Sequence, residues 1–343
     1  MFSTTYIPYV VVWLITAKCN LNCKHCYAKQ YLEVEELSLK EKLKLAKEIG
    51  ELGIEWVAIS GGEPLIHKDL IPVIEKLRDY DVGVSISSNA TVVDENVARK
   101  LSKLGVYVYV SIDGPEKVHD TIRGKGMFKK TMKSIMIFRE FGVEYGTVMA
   151  VSRLNKSFVK EYLELALNID AESVSIIPVM PTKYKMNTKY VLSSKDYVKV
   201  IKVAEEFAEE NKFPISLWCT PFAPLLTKSN YIEYYSCRIY DIVDIDPSGR
   251  LLACDVTGIP ITSLKNKPLI EALREYQRHP IIRSITNPPK LPEQCLKCEL
   301  LDYCRGGCYA RALFERGGLN AGDPLCPLIS GLNMESKMIK AER

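Results

Sequence analysis

The sequence lacks a long apolar segment, a long run of charge of one sign, internal repeats and low-complexity stretches. The longest apolar run near its start, residues 9–15, is too short to cross a bilayer, so the sequence predicts neither a membrane span nor a targeting segment. The net charge of +4 is spread along the chain, which argues against nucleic acid as the main partner. With 47% hydrophobic residues among 343, the composition predicts a globular protein with one large core or two unequal domains.

Cysteine, by contrast, is abundant, with eleven residues in the chain. The number is odd and the spacings are those of metal sites, so the pattern predicts thiolate ligands and not a disulfide framework. Thiolates and oxygen-sensitive clusters persist in a reducing compartment, which predicts an anaerobic, cytoplasmic protein.

Three cysteines, Cys19, Cys23 and Cys26, follow the first apolar run within eight residues. Iron–sulfur clusters usually take four cysteines, so three thiolates would hold a cluster with one iron open to a ligand from outside the protein. Zinc is the alternative, because thiolates also bind zinc. A structural zinc site needs four ligands, however, and His25 is poorly placed between its neighbours to be the fourth.

This spacing, with His25 directly before the last cysteine, resembles the radical S-adenosylmethionine (SAM) enzyme family. The resemblance implies that the amino and carboxylate groups of SAM chelate the open iron. One electron from the reduced cluster then cleaves SAM to methionine and a 5′-deoxyadenosyl radical, which takes a hydrogen atom from the substrate. An electron donor such as ferredoxin or flavodoxin is implied as a partner.

Up to about residue 180, short β-rich runs alternate with helical patterns, which predicts a parallel sheet wound with helices. Six β/α units predict an α/β fold, an open partial (β/α)6 TIM-like barrel with active residues at the carboxyl ends of the strands. A further helix at 195–210, capped by Ser194, is predicted to pack against it. The predicted strands are residues 11–16, 56–60, 83–88, 106–112, 145–151 and 173–178.

Short segments after the second, third and fourth strands match the cofactor-binding positions of the family. The resemblance implies that the segment Gly61-Gly62-Glu63-Pro64, after the second strand, presents its backbone and Glu63 to the amino group of SAM. It also implies that Ser111 and Asp113 contact the ribose and that Arg123 pairs with the SAM carboxylate. Taken singly, each residue is better explained by a turn or by solvation, although paired glycines do permit close backbone approach and a guanidinium suits a carboxylate. The cofactor reading rests on their order and spacing together. The full set is His25, Gly61, Gly62, Glu63, Pro64, Ser88, Ser111, Asp113 and Arg123.

The later cysteines resemble the seven-cysteine pattern of the SPASM domain, a loop-rich C-terminal extension that holds two auxiliary [4Fe–4S] clusters. A pair of zinc knuckles is the alternative. The resemblance implies three [4Fe–4S] clusters in all, with a distal auxiliary set of Cys295, Cys298, Cys304 and Cys326, and a proximal set of Cys237, Cys254 and Cys308. The remaining thiol, Cys219, is either the fourth proximal ligand or a small buried apolar residue. The predicted domains are the barrel at 1–180, a bridging region at 181–236, and the SPASM domain with a C-terminal helix at 237–343.

The function implied by this resemblance is radical modification of a peptide or protein side chain by oxidation, crosslinking or decarboxylation. Barely ten residues precede the first strand, where some family members carry a peptide-binding domain, so modification of a tetrapyrrole side chain is the alternative. A non-enzymatic electron carrier is the rival from another class. Asp255, directly after Cys254, resembles the carboxylate that sulfatase-maturing relatives are thought to use as a base. The alternative is that Asp255 only accepts backbone hydrogen bonds.

Overall fold

The computed structural model describes residues 5–182 and 188–332, which form one eleven-stranded sheet with helices packed on it. The strands are β1 (Val10–Thr16), β2 (Trp56–Gly61), β3 (Gly83–Ser88), β4 (Tyr107–Ser111), β5 (Tyr145–Val151), β6 (Val174–Pro178), β7 (Ile215–Leu217), β8 (Ile232–Tyr234), β9 (Ile242–Ile245), β10 (Arg250–Leu252) and β11 (Pro260–Ser263).

The sheet is mostly parallel and does not close. Strands β1 to β8 lie side by side in chain order, and all of these pairs are parallel. Strand β9 pairs in parallel with the free side of β1, and the antiparallel β10 and β11 extend that side to the other edge. The predicted open α/β barrel is therefore confirmed, with the six predicted strands at β1 to β6. The sheet continues through β7 and β8 inside the region predicted as a bridge.

The helices are α1 (Leu39–Glu51), α2 (Leu70–Arg78), α3 (Glu95–Lys103), α4 (Glu116–Arg123), α5 (Met127–Phe141), α6 (Val159–Asn168), α7 (Ser194–Asn211), α8 (Leu269–Arg278), α9 (Pro280–Thr286), α10 (Glu293–Leu296), α11 (Leu301–Cys304), α12 (Tyr309–Arg316) and α13 (Pro327–Ser330). The part of the predicted C-terminal helix beyond residue 332 lies outside the described residues.

Local sequence explains where the long helices begin. Ser38 and Glu41 form a reciprocal capping box at the start of α1, which satisfies two backbone donors that a helix end leaves free. The predicted cap of α7 was one residue too late. Ser193 is the cap, because its side chain accepts from the backbone of Asp196, whereas the Ser194 hydroxyl donates to the carbonyl of Leu325.

The two faces of β1 show how the sheet divides the molecule. Val11, Trp13 and Ile15 are fully buried in the main core beneath the helices. Leu14 packs instead on the opposite face, in a small cluster that Val12 also joins. Successive side chains of a strand point to opposite faces, so one face of the sheet packs against the helices and the other lines the interior of the open barrel. In the described residues, no helix is long and apolar enough to cross a membrane.

Candidate active site and cysteine clusters

The loop after β1 carries the first three cysteines at the carboxyl edge of the sheet. Cys19 is exposed, Cys26 is half-buried and Cys23 is buried. Burial raises the pKa of Cys23 to about 11, and the nearby positive charge of Arg123 opposes part of that rise. Only the thiolate binds metal, so Cys23 needs the positive charge of a bound group to ionise here.

A glycine pair at the end of β2 holds this loop in place. The amide of Gly62 donates to the carbonyl of Thr16 at 2.7 Å. A Cβ on Gly62 would lie 2.0 Å from the carbonyl oxygen of Lys18, and one on Gly61 would lie 2.1 Å from that of Thr16. Gly61 also has φ +128°, which L side chains rarely adopt. The two glycines therefore bring the β2 turn into backbone contact with the chain just before Cys19.

Glu63 links the ends of β2 and β3. Its side chain is buried, and its carboxylate accepts the Ser88 hydroxyl at 2.6 Å and the Asn89 amide at 2.7 Å. It also caps the short turn that begins at the buried Pro64, by accepting the Leu65 amide at 3.0 Å. Glu63 thus orders two loops of the site, and its contact with the amino group of SAM stays a prediction.

The predicted carboxylate-binding arginine is held by a buried aspartate. Asp113 is fully buried, and it accepts the Arg123 Nε at 2.7 Å and the Ala150 amide at 3.1 Å. Burial raises the pKa of Asp113, but Arg123, His25 and His119 together more than offset this, so that pKa lies below its usual value. His25 Nε2 lies 3.9 Å from the same carboxylate, and burial lowers the pKa of His25 to about 4.

Arg123 also lies beside the cysteine loop, because the amide of Lys24 donates to the carbonyl of Ile122 at 3.1 Å. Ser111, the last residue of β4, is half-buried at the same carboxyl edge. The structure therefore brings the predicted SAM contacts and the three thiols to one place. The buried Asp113 pairs with Arg123 in this arrangement, and its contact with a ribose stays a prediction.

A second group of thiols gathers at the C-terminal part of the chain and includes Cys219. The Cys219 and Cys237 thiols lie close enough to interact, and this interaction lowers the pKa of Cys219 and raises that of Cys237. Cys254 and Cys308 pack with Cys219 around one small apolar cluster centred on Met180, Val256 and Ala310. The structure thus places Cys219 with the three cysteines predicted for the proximal site.

The four cysteines predicted for the distal site line one cavity. Burial raises the pKa of Cys304 and of Cys326 to about 12 each, so these thiols too need a bound cation to ionise. The cavity is lined by Cys295, Cys298, Cys304 and Cys326.

Asp255 links the cysteine loop after β1 to the second group of cysteines. The Tyr27 hydroxyl donates to its carboxylate at 2.5 Å, and Tyr27 directly follows Cys26. On the other side, the backbone amide of Asp255 donates to the Asp244 carboxylate at 2.6 Å. One ligating atom each from Asp244, Cys254 and Asp255 lie within 4.8 Å of one another. Burial raises the pKa of both carboxyl groups above the usual range.

Tyr27 and Asp244 are functional candidates that sequence reasoning missed. Tyr27 carries a local signal, since it adjoins a predicted ligand. Asp244 carries none, because it reaches the site only through the pairing of β9 with β1, where it lies opposite Val12.

The comparison with protein families identifies the first part of this chain. The family model of the radical SAM superfamily matches residues 13–166. These residues are a radical SAM domain. That span includes the three-cysteine loop, the glycine pair and Arg123.

Similar proteins extend the radical SAM resemblance over most of the chain. It is 25% identical over 347 residues to the AdoMet-dependent heme synthase of Methanosarcina barkeri, covering 95% of this chain and 98% of that protein. It is 23% identical over 364 residues to the PqqA peptide cyclase of Granulibacter bethesdensis, covering 99% and 92%. The crystal structure of Streptococcus suis SuiB bound to its precursor peptide SuiA has the same fold, with a TM-score of 0.78, 18% identity, and coverage of 93% and 76%.

Radical SAM enzymes use a [4Fe–4S] cluster and SAM, and the donor atoms here suit both. Three thiols lie in the loop after β1, and a cluster held by them would keep one coordination position for SAM. With its Nε engaged by Asp113, the guanidinium of Arg123 keeps both terminal nitrogens as donors for a carboxylate.

Proposed function

We propose that this radical SAM enzyme oxidises a carbon–hydrogen bond in a side chain of a peptide or protein, with one SAM-binding cluster and two auxiliary clusters. When bound, the clusters supply the electron that cleaves SAM and accept an electron from the substrate. In this proposal residues 237–343 form a SPASM domain, and a ferredoxin or flavodoxin donates the first electron.

The eight later thiols lie in two groups of four, which supports two auxiliary clusters. Cys219, Cys254 and Cys308 pack around Met180 and Val256, Cys237 interacts with Cys219, and another four thiols line one cavity. Two sets of four thiolates are the ligand count that two cubane clusters require. Each set would hold its cluster without a position left for substrate. The auxiliary clusters therefore serve electron transfer in this proposal.

The position of Asp255 carries the proposal of oxidation. Transfer of one hydrogen atom to the 5′-deoxyadenosyl radical leaves a carbon radical on the substrate. That radical must then lose one proton and one electron to give the oxidised product. Asp255 is a proton acceptor adjacent to Cys254, a ligand in the set that would take the electron, and Tyr27 ties it to the SAM-binding loop. Asp255 can thus take the proton, and it lies beside the cluster that would take the electron.

A tetrapyrrole is the second candidate substrate, and one observation favours it. The chain is 25% identical to a heme synthase over 98% of that protein's length, against 23% identity over 92% of the length of a PqqA peptide cyclase. Side-chain oxidation of a tetrapyrrole would need the same base and the same electron acceptor. The substrate, and not the chemistry at Asp255, distinguishes the two proposals.

Isotope transfer tests the function directly. Reconstituted enzyme, SAM and a reductant would be incubated anaerobically with side-chain-deuterated peptides encoded beside the gene, and separately with deuterated porphyrins bearing propionate side chains. We expect deuterium in 5′-deoxyadenosine and a product lighter by two hydrogens from a peptide. Deuterium transfer from the porphyrin alone would establish the second candidate. If reduced enzyme cleaves no SAM, the proposed function is refuted.

A further inference from the structure

Four polar side chains cluster where the loops that follow β1 and β2 meet. They are those of Glu36, Lys42, His67 and Asp69, and the most exposed of them, Glu36, keeps only 18% of its side chain exposed. Lys42 is 2% exposed and donates to the Asp69 carboxylate at 3.0 Å. Charged side chains are seldom buried this far, and a buried ion pair is a poor source of stability compared with apolar packing. The cluster therefore calls for a reason other than stability.

One end of this cluster holds the entry to the cysteine loop. Glu36 Oε1 accepts the Thr16 hydroxyl at 2.6 Å and the Ala17 amide at 3.4 Å. Thr16 is the fully buried last residue of β1, and its hydroxyl oxygen accepts the Lys18 amide at 3.0 Å. Lys18 directly precedes Cys19. Glu36 therefore fixes the backbone at the point where the chain enters the cysteine loop.

The other end of the cluster belongs to the loop after β2. His67 lies in that loop, three residues after the segment Gly61–Pro64. Its Nδ1 accepts the Asp69 amide at 3.2 Å, so Nε2 carries the proton in the neutral ring. Nε2 lies 3.2 Å from Glu36 Oε2, to which it donates. Lys42 Nζ approaches the same nitrogen at 3.1 Å, so the ring is confined from two sides.

The two oxygens of one carboxylate thus serve two loops. Burial raises the pKa of Glu36, but hydrogen bonds from Thr16 and His67, with the charge of Lys42, outweigh this, so that pKa lies below its usual value. The ionised group offers an acceptor oxygen to each loop. We call the hydrogen-bonded chain of Thr16, Glu36 and His67 the Glu36 bridge. It joins the loops through side chains, in addition to their backbone contact at Gly62.

We propose that the Glu36 bridge prepares the SAM site by fixing the cysteine loop relative to the loop after β2. Glu36 and His67 are positioning residues, since they act through these loops. This inference rests on the proposed function, in which SAM contacts both loops at once. A site whose loops are already fixed loses less conformational freedom when its ligand binds. Removing the bridge should therefore weaken SAM binding and leave the cleavage of bound SAM nearly unchanged.

Equilibrium dialysis of radiolabelled SAM against the reconstituted, oxidised protein tests the bridge, because SAM is not cleaved without a reductant. His67→Leu removes the donor to Glu36 and should raise the Kd for SAM about 10- to 100-fold, the worth of one hydrogen bond to a charged group. After reduction, 5′-deoxyadenosine formation at saturating SAM should change little. His67→Gln should restore binding, because its amide can donate from the position of Nε2.

The chain offers a matched control in a second histidine. His279 Nδ1 likewise accepts the amide two residues later, that of Ile281 at 3.3 Å, but it does so at the start of α9. His279→Leu should leave the Kd for SAM unchanged. An equal loss in both leucine variants would mean that any such substitution weakens the site, and it would overturn the inference.

Hydrogen exchange of the metal-free protein supplies a readout that needs no cofactor. The amides of Ala17 and Lys18 should exchange faster in His67→Leu than in wild type, because Glu36 has lost its anchor, whereas those of α9 should not. Glu36→Gln has one acceptor oxygen in place of two, so it should speed the same amides and weaken SAM binding as well. If a variant cannot be loaded with iron, the exchange measurement decides alone.

Three results would overturn the inference: unchanged SAM binding in iron-loaded His67→Leu and Glu36→Gln, unchanged exchange at Ala17 and Lys18, or a Kd in His67→Gln equal to that in His67→Leu. Failure of the proposed function looks different. In that case the wild-type protein itself would bind no SAM, whichever variant is compared with it.

Discussion

Replacement of Asp255 by asparagine separates the two stages of the proposed reaction. Asparagine has nearly the same size, and its carbonyl oxygen can still accept the Tyr27 hydroxyl, which lies 2.5 Å from the native carboxylate. It cannot take a proton. The variant should therefore keep the local geometry while losing only the base.

General base assistance is worth a factor of about 100 to 10,000 in rate, which corresponds to roughly 3 to 5.5 kcal/mol. Asp255→Asn should slow product formation on that scale and leave the formation of 5′-deoxyadenosine largely intact, because hydrogen abstraction precedes the proton loss. Tyr27→Phe removes one hydrogen bond to the carboxylate, worth roughly 1.5 to 3 kcal/mol, and should cost at most about 100-fold.

The assay counts both products by mass spectrometry under anaerobic conditions, with iron content measured on the same samples. Asp241→Asn is a suitable control, since Asp241 also accepts a tyrosine hydroxyl, that of Tyr6, but at an exposed position. Wild-type coupling of 5′-deoxyadenosine to product in Asp255→Asn would refute the role of base. Loss of iron or of the folded state in that variant would give Asp255 a structural role instead.

Three further predictions concern the cofactor sites. Reconstituted protein should bind about 12 irons, and alanine at all three SAM-loop cysteines, Cys19, Cys23 and Cys26, should remove a third of them and abolish SAM cleavage; zinc as the dominant metal would contradict this. Cys219→Ala should alter the magnetic signature of the proximal cluster while SAM is still cleaved, and an unchanged spectrum would return Cys219 to simple packing. Gly62→Ala puts a Cβ 2.0 Å from the Lys18 carbonyl oxygen, so denaturant titration of the metal-free protein should show a loss of about 1–3 kcal/mol, which an unchanged midpoint would exclude.

Sequence alone predicted the elements whose signals are local. Strands β1 to β6 read as short β-rich runs between helical patterns, and the thiols and glycines of the first loops stand at fixed spacings. The sequence locates the glycine pair, but it does not show why glycine is required there. Only the structure shows that Thr16 and Lys18 occupy the space that any side chain there would need.

The features that sequence missed depend on contacts between distant segments. Asp244 lies in a four-residue strand that is recognisable only by its pairing with β1. The pairing of Arg311 with Asp323 likewise joins a helix to a loop, and neither residue belongs to a cysteine motif. Single charged residues of this kind normally lie on the surface, so a sequence gives no sign that they are buried.

The placement of Cys219 shows why the region between the two cysteine patterns is more than a connection. Strand β7 pairs in parallel with β6, so the chain leaves β7 at the carboxyl edge of the sheet, where the other active residues gather. Cys219 comes two residues after Leu217, the end of β7, and there it meets the Cys237 thiol. A three-residue strand carries little sequence signal of its own. Its pairing with β6 is therefore what brings Cys219, the cysteine outside both patterns, to this edge of the sheet.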